Sequence, residues 1–335
     1  MPSLDTLFEF GYLGVPLFFV ISGYCISAAA HNAEKSNRTR WHFVRRRFLR
    51  IYPAYWCSIV VILCIFALPV ILRAIVDGSI SFHHKAWMGF SPGTWLSIVT
   101  LAEIFFARDS HSFPFGAFGS LNAVYWTLAI EVQFYLVSAC LVSLRQRTQL
   151  VLIIGMSFLG LISFRSKTIL ESGLFLPFWP MFATGWLIFK WRTTFIGTRA
   201  LVSKVNILLA ICACAFLILL GDGGKSEFAY YSFATIAAAA VLCLGTIFES
   251  GRFQLDSMLH NMRAVRWLGL VGVGSFSLYL THVPFWNVSD AVVMSLVQLN
   301  QDAALKTVLK TISTGILVLA FFLLVERRIL LRLRA

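Results

Sequence analysis

Apolar residues in this chain come in long unbroken runs, with polar residues gathered between them. The runs lie near residues 11–30, 51–72, 121–144, 149–166, 174–190, 203–220, 228–248, 267–286 and 304–326. A helix crosses a hydrocarbon core with about 20 apolar residues, and inside that core only a segment that satisfies its own backbone hydrogen bonds is tolerated. The pattern predicts an all-α fold, a polytopic membrane helical bundle of about nine spans, forming one integral membrane domain over residues 1–335. A further run, Trp95 to Ala107, reaches only about 20 Å at the helical rise, short of a core of about 30 Å. It is expected to be a short re-entrant or interfacial segment.

Composition agrees. The 335 residues are 59% hydrophobic and 13% charged, whereas soluble proteins carry about 25% charged residues, which excludes a water-soluble globule. The net charge of +13 would suggest nucleic acid in a soluble chain. Here the basic residues fall between apolar runs, where membrane topology accounts for them, so no nucleic-acid partner is expected. Cys25, Cys57, Cys64, Cys140, Cys212, Cys214 and Cys243 all lie in apolar runs without paired spacing and read as packing residues. No metal site is expected, since His83 and His84 lack nearby Cys, Asp or Glu at ligand spacing. The stretch Gly221 to Ser226 ends like a phosphate loop but has Leu219 where that motif needs Gly, and reads as a turn.

Lys and Arg set the orientation. Lys35, Arg38, Arg40, Arg45, Arg46, Arg47 and Arg50 crowd between the first two spans against a single acid, Glu34, which marks that loop as cytoplasmic. If the short run does not cross, the later basic clusters, from Arg145 and Arg147 to the terminal Arg327, Arg328, Arg332 and Arg334, all fall on the same side. The expected protein is multi-pass, with a cytoplasmic C-terminus and an outside N-terminus.

Ionisable residues inside spans are costly and therefore candidates for function. Glu131 lies within the 121–144 run, with Tyr135 one helical turn on and Trp126 five residues before. His282 lies toward the far end of the 267–286 run, with Tyr279 one turn before it. Topology puts Glu131 and His282 in the outer half of the bilayer, where a carboxylate and an imidazole suit removal of a proton from a hydroxyl. Arg45, Arg46, Arg47 and Arg50 form a cationic patch beside the aromatic Tyr52, Tyr55 and Trp56. It reads either as an interface anchor or as a site for a polyanionic cytoplasmic ligand such as the phosphates of coenzyme A.

Four stretches, in order, resemble the acyltransferase-3 family of integral membrane sugar O-acyltransferases: Gly11 to Tyr24, Phe43 to Trp56, Trp126 to Tyr135, and Ser277 to Pro284, with a looser match at Val325-Glu326. The resemblance implies a ten-helix protein that takes an acyl group, acetyl by default, from cytoplasmic acyl-CoA as co-substrate, with no bound cofactor. The acceptor would be a hydroxyl of a cell-surface or exported carbohydrate, and the setting a bacterial inner membrane. It favours Glu131 and His282 as catalytic residues, the four arginines as the donor site, and Trp126, Tyr135 and Tyr279 in support. The family's first helix, with its Arg and catalytic His, precedes the segment at which this chain begins. Three readings follow: a start that lies further upstream, a shortened and inactive member, or His282 in the missing role. A transporter of a small metabolite or lipid-linked sugar is the rival class, and would show internal repeats or paired broken helices. Neither acceptor identity, acyl length nor oligomeric state is written in the sequence.

Overall fold

A computed structural model describes residues 14–35, 40–77, 89–106, 116–165, 172–193, 235, 239, 272–296 and 303–334. Its described elements are all helical: α1 (Gly14–Lys35), α2 (Arg40–Asp77), α3 (Pro92–Val99), α4 (Phe118–Leu121), α5 (Tyr125–Leu141), α6 (Gln146–Arg165), α7 (Trp179–Thr193), α8 (Ser275–Leu296), α9 (Ala303–Phe321) and α10 (Arg327–Arg334). Among them, the segments Gly14–Asn32, Trp41–Leu68 and Leu305–Leu333 are long and apolar enough to cross a membrane. The span expected at 203–220 lies outside the described residues, as does that at 228–248 apart from residues 235 and 239. The chain divides into two compact units, Met1–Arg45 with Thr127–Asn261, and Arg46–Trp126 with Met262–Ala335.

In the first unit, α1 packs on α7 at a distance that only glycine permits. A side chain at Gly23 would meet the Phe182 carbonyl, and one at Gly185 would meet the Val20 carbonyl. Close backbone approach through small residues is how membrane helices gain van der Waals contact without a hydrophobic driving force. Around this contact sits an aromatic core: Phe134 stacks on Phe182 at 4.3 Å and meets Phe19 edge-on at 5.4 Å, while Trp179 lies 5.2 Å from Phe182. The Trp179 indole N–H donates to the Ile153 carbonyl of α6 at 3.1 Å, so its polar edge is satisfied inside the apolar cluster.

In the second unit, the Trp95 to Ala107 run is not a span. The eight residues of α3 cover about 12 Å. The chain then turns through Leu101, at φ 63°, into a 3₁₀ turn over Ala102–Phe105. A β-turn-like break in an apolar setting needs partners for the orphaned carbonyls of the helix end. Ile98 O accepts the Leu101 N–H at 2.9 Å, and three side chains of α2 add donors here. The Tyr55 hydroxyl donates to Ile98 O at 2.7 Å, Trp56 Nε1 to Val99 O at 3.0 Å, and the Tyr52 hydroxyl to Thr100 O at 3.1 Å. The aromatic residues that read in the sequence as an interface belt therefore also hold a broken helix.

α8 and α9 pack as neighbours, joined by a hydrogen bond of 3.0 Å from the Thr314 hydroxyl to that of Ser289. α8 continues to Leu296, ten residues beyond the apolar run that foretold it, passing through Pro284. Proline has no N–H, so the carbonyl four residues earlier, Leu280, loses its helical donor. Asn122 fills the gap, its buried side-chain amide donating to Leu280 O at 2.8 Å. Replacing Asn122 by Leu is expected to cost about 1–3 kcal/mol, the penalty of an unsatisfied buried carbonyl. Thermal melts in detergent would read this, and the cost should shrink in a Pro284→Ala background, where the helical N–H returns. α9 leads through a π turn at Phe322–Glu326 into α10.

Candidate active site

Glu131 is buried in α5. Its Oε1 accepts a 2.6 Å hydrogen bond from the hydroxyl of Tyr135, one turn on in the same helix, and a 3.2 Å bond from the hydroxyl of Ser22 in α1. Phe134 and Phe19, one turn away on the two helices, tie this polar seat to the aromatic core. A buried carboxyl group that accepts from two hydroxyls is oriented and partly shielded from water. Trp126 is buried at the start of α5, in the segment that belongs to the second unit.

His282 is half-buried in α8. Its Nδ1 lies 2.8 Å from Tyr279 O and 3.1 Å from Leu278 O. A carbonyl can only accept, so Nδ1 carries the proton in the neutral ring and Nε2 carries the lone pair, the tautomer a general base requires. The Tyr279 ring sits 6.2 Å away, its hydroxyl donating to Val124 O at 3.3 Å. Glu131 and His282 belong to different compact units. His282 stands in the first half of the described α8, about 10 Å from Ser275 at the helical rise, because the helix begins later and ends later than the apolar run.

The four arginines do not form one surface. Successive helical residues fan out by about 100°, so Arg45 and Arg46 are exposed while Arg47 is buried. Arg46 reaches the C-terminal segment, its Nη2 donating to Leu333 O, while Arg50, one turn on, is exposed.

Three buried polar groups escaped the reading of the sequence as site residues. Ser22 lies inside the first family-like stretch, but only the fold shows that it reaches Glu131. Glu103, in the 3₁₀ turn, accepts from the Ser97 hydroxyl and, at 3.1 Å, from Ala117 N–H. Glu326, at the end of the π turn, accepts from the backbone N–H of Ser277 at 3.0 Å and from its hydroxyl, so that it caps the first turn of α8. A lone acid in an apolar run was the available signal for both glutamates. Among the described residues, no three His, Cys, Asp or Glu come together as a metal cluster.

The described helices include three long and apolar enough to cross a membrane, and the chain carries an acyltransferase domain. Residues 2–327 match the acyltransferase-3 family, described as an acyltransferase domain, and the chain belongs to that family. It is also similar to the peptidoglycan O-acetyltransferase OatA of Listeria monocytogenes serovar 1/2a, at 26% identity over 343 residues, which take in 94% of this chain and 51% of that protein. The chain thus spans about half the length of this curated relative. No solved structure matches it.

Proposed function

We propose that the chain transfers an acyl group, acetyl by analogy with its relative, from cytoplasmic acyl-CoA to a hydroxyl of a cell-wall sugar, within a bacterial inner membrane and with its C-terminus in the cytoplasm. The family match over nearly the whole chain carries this reading. The printed name of the relative adds an O-acetyl group and a cell-wall acceptor, and the basic loops add the orientation.

In this mechanism His282 Nε2 takes the proton of the acceptor hydroxyl as its oxygen attacks the thioester carbonyl. The new C–O bond forms, the C–S bond breaks, and the departing thiolate regains a proton. Glu131, in the first unit, is the second residue assigned a catalytic role on the family resemblance, its direction fixed by Tyr135 and Ser22. The donor phosphates are assigned to the basic stretch that holds Arg45, Arg46, Arg47 and Arg50, of which Arg45, Arg46 and Arg50 are exposed and Arg47 is buried. Tyr279 and Trp126 shape the surroundings of His282 and the start of α5.

The test is turnover by the purified full chain in lipid nanodiscs, given radiolabelled acetyl-CoA and peptidoglycan fragments. Label on the fragments, with release of free coenzyme A thiol, is the expected result. An active preparation of a relative in the same assay beside a silent wild-type chain would overturn the proposal. Glu131→Gln keeps the shape of the side chain and removes its proton-handling carboxyl, and should slow turnover about 10- to 100-fold at unchanged protein level, the rate equivalent of about 1.4–2.7 kcal/mol.

A further inference from the structure

We infer that Trp286, Asp290 and Lys310 form a binding subsite for a pyranose ring of the acceptor. The inference rests on the proposed reading that His282 activates a sugar hydroxyl. His282, Trp286 and Asp290 are spaced four residues apart on α8 and so share one face, each step advancing about 6 Å. Lys310 of α9 meets the last two, Trp286 and Asp290. Its ammonium lies 2.6 Å from Asp290 Oδ1 and 4.5 Å from the centre of the Trp286 ring.

Packing alone does not call for these groups. The two helices are already joined by the Ser289–Thr314 hydrogen bond. The Lys310–Asp290 pair adds little stability of its own, since an exposed ion pair returns about 0–1 kcal/mol. Asp290 is indeed open, its side chain 44% exposed against 19% for Lys310. What the trio offers instead is the complement of a sugar. An indole presents a flat apolar surface to the C–H face of a pyranose, and its edge remains polar. A carboxylate accepts from ring hydroxyls, and an ammonium donates to ring and substituent oxygens. A ring seated at Trp286 lies one turn from His282, within reach of its imidazole for a neighbouring hydroxyl. In this account the sugar competes with Lys310 for the indole, while Lys310 stays paired with Asp290.

The experiment compares the wild-type full chain with Trp286→Ala, Trp286→Phe and Asp290→Asn in nanodiscs. Acceptor KM, donor KM and acceptor-independent hydrolysis of acetyl-CoA are measured separately. In parallel, binding of an N-acetylglucosamine tetrasaccharide is followed by saturation-transfer NMR, which needs no turnover. Trp286→Ala and Asp290→Asn should raise the acceptor KM at least about tenfold, with donor KM and hydrolysis unchanged, and Trp286→Phe should recover most of the loss. Trp286→Ala should also abolish the saturation-transfer signal. A purely structural staple would lower folded yield and kcat without separating the two KM values, and that result, or an acceptor KM and tetrasaccharide signal unchanged in Trp286→Ala, overturns the subsite. A wild-type chain that binds the tetrasaccharide through Trp286 but transfers no acyl group would overturn the proposed function and leave the subsite standing.

Discussion

On the proposed mechanism, His282→Ala is expected to lower kcat for acyl transfer by about 10²- to 10⁴-fold, the range for loss of a positioned general base, and to leave the protein folded. Both halves of that expectation come from the same contacts. Nδ1 is held by Tyr279 O and Leu278 O, which fixes the ring and its tautomer. Those carbonyls also accept helical N–H groups in the regular ladder of α8, so truncation leaves neither as an orphan. The melting temperature of the variant in detergent should stay close to wild type while turnover collapses. An active His282→Ala enzyme would move the base elsewhere in the chain.

Gly185→Val has the largest expected effect on stability. The new Cβ would fall on the Val20 carbonyl, with Tyr24 N at 2.8 Å and Val20 C at 2.9 Å. All three are backbone atoms and none can rotate away, so α1 and α7 must separate. Overpacking of a tight core costs about 1–3 kcal/mol when side chains can adjust and more when they cannot, so a loss of at least about 3 kcal/mol is expected. Function should fall with it, because Ser22 lies on α1 beside Gly23 and donates to Glu131. The matched control is Gly155→Ala in α6, where nothing lies within 4 Å of the added carbon; it should be neutral or gain up to about 1 kcal/mol from helix propensity. Yield of monodisperse protein and melting temperature read both variants.

Much of this architecture can be read one-dimensionally. Runs of apolar residues locate spans because the thickness of a bilayer fixes their length, and a lone acid such as Glu131 stands out because charge is rare there. Pairings do not show in the same way. That Ser22 meets Glu131 depends on how α1 is seated, and the glycines responsible look like any others in an apolar run. The arginines were legible as a group but not as individuals, since residues adjacent in sequence point to different sides of a helix. Asn122 belongs with Pro284 only through the carbonyl of Leu280, a link with no sequence signature. Glu103 was hidden by its neighbours, in a run too short to be a span and apolar enough to pass for an interfacial segment.

The π turn at Phe322–Glu326 alters the phase of the last helix. Inward positions along α9 fall at Thr314, Val318 and Phe321, and the next buried one is Glu326, a stride of five where a continuous α-helix would take three or four. An unbroken α-helical count would turn Val325 inward and leave Glu326 facing oil. One widened loop of backbone thus works as a local frame correction: it redirects a single acid from the lipid side onto the amide end of the helix that bears the imidazole, and every basic residue downstream inherits the new bearing.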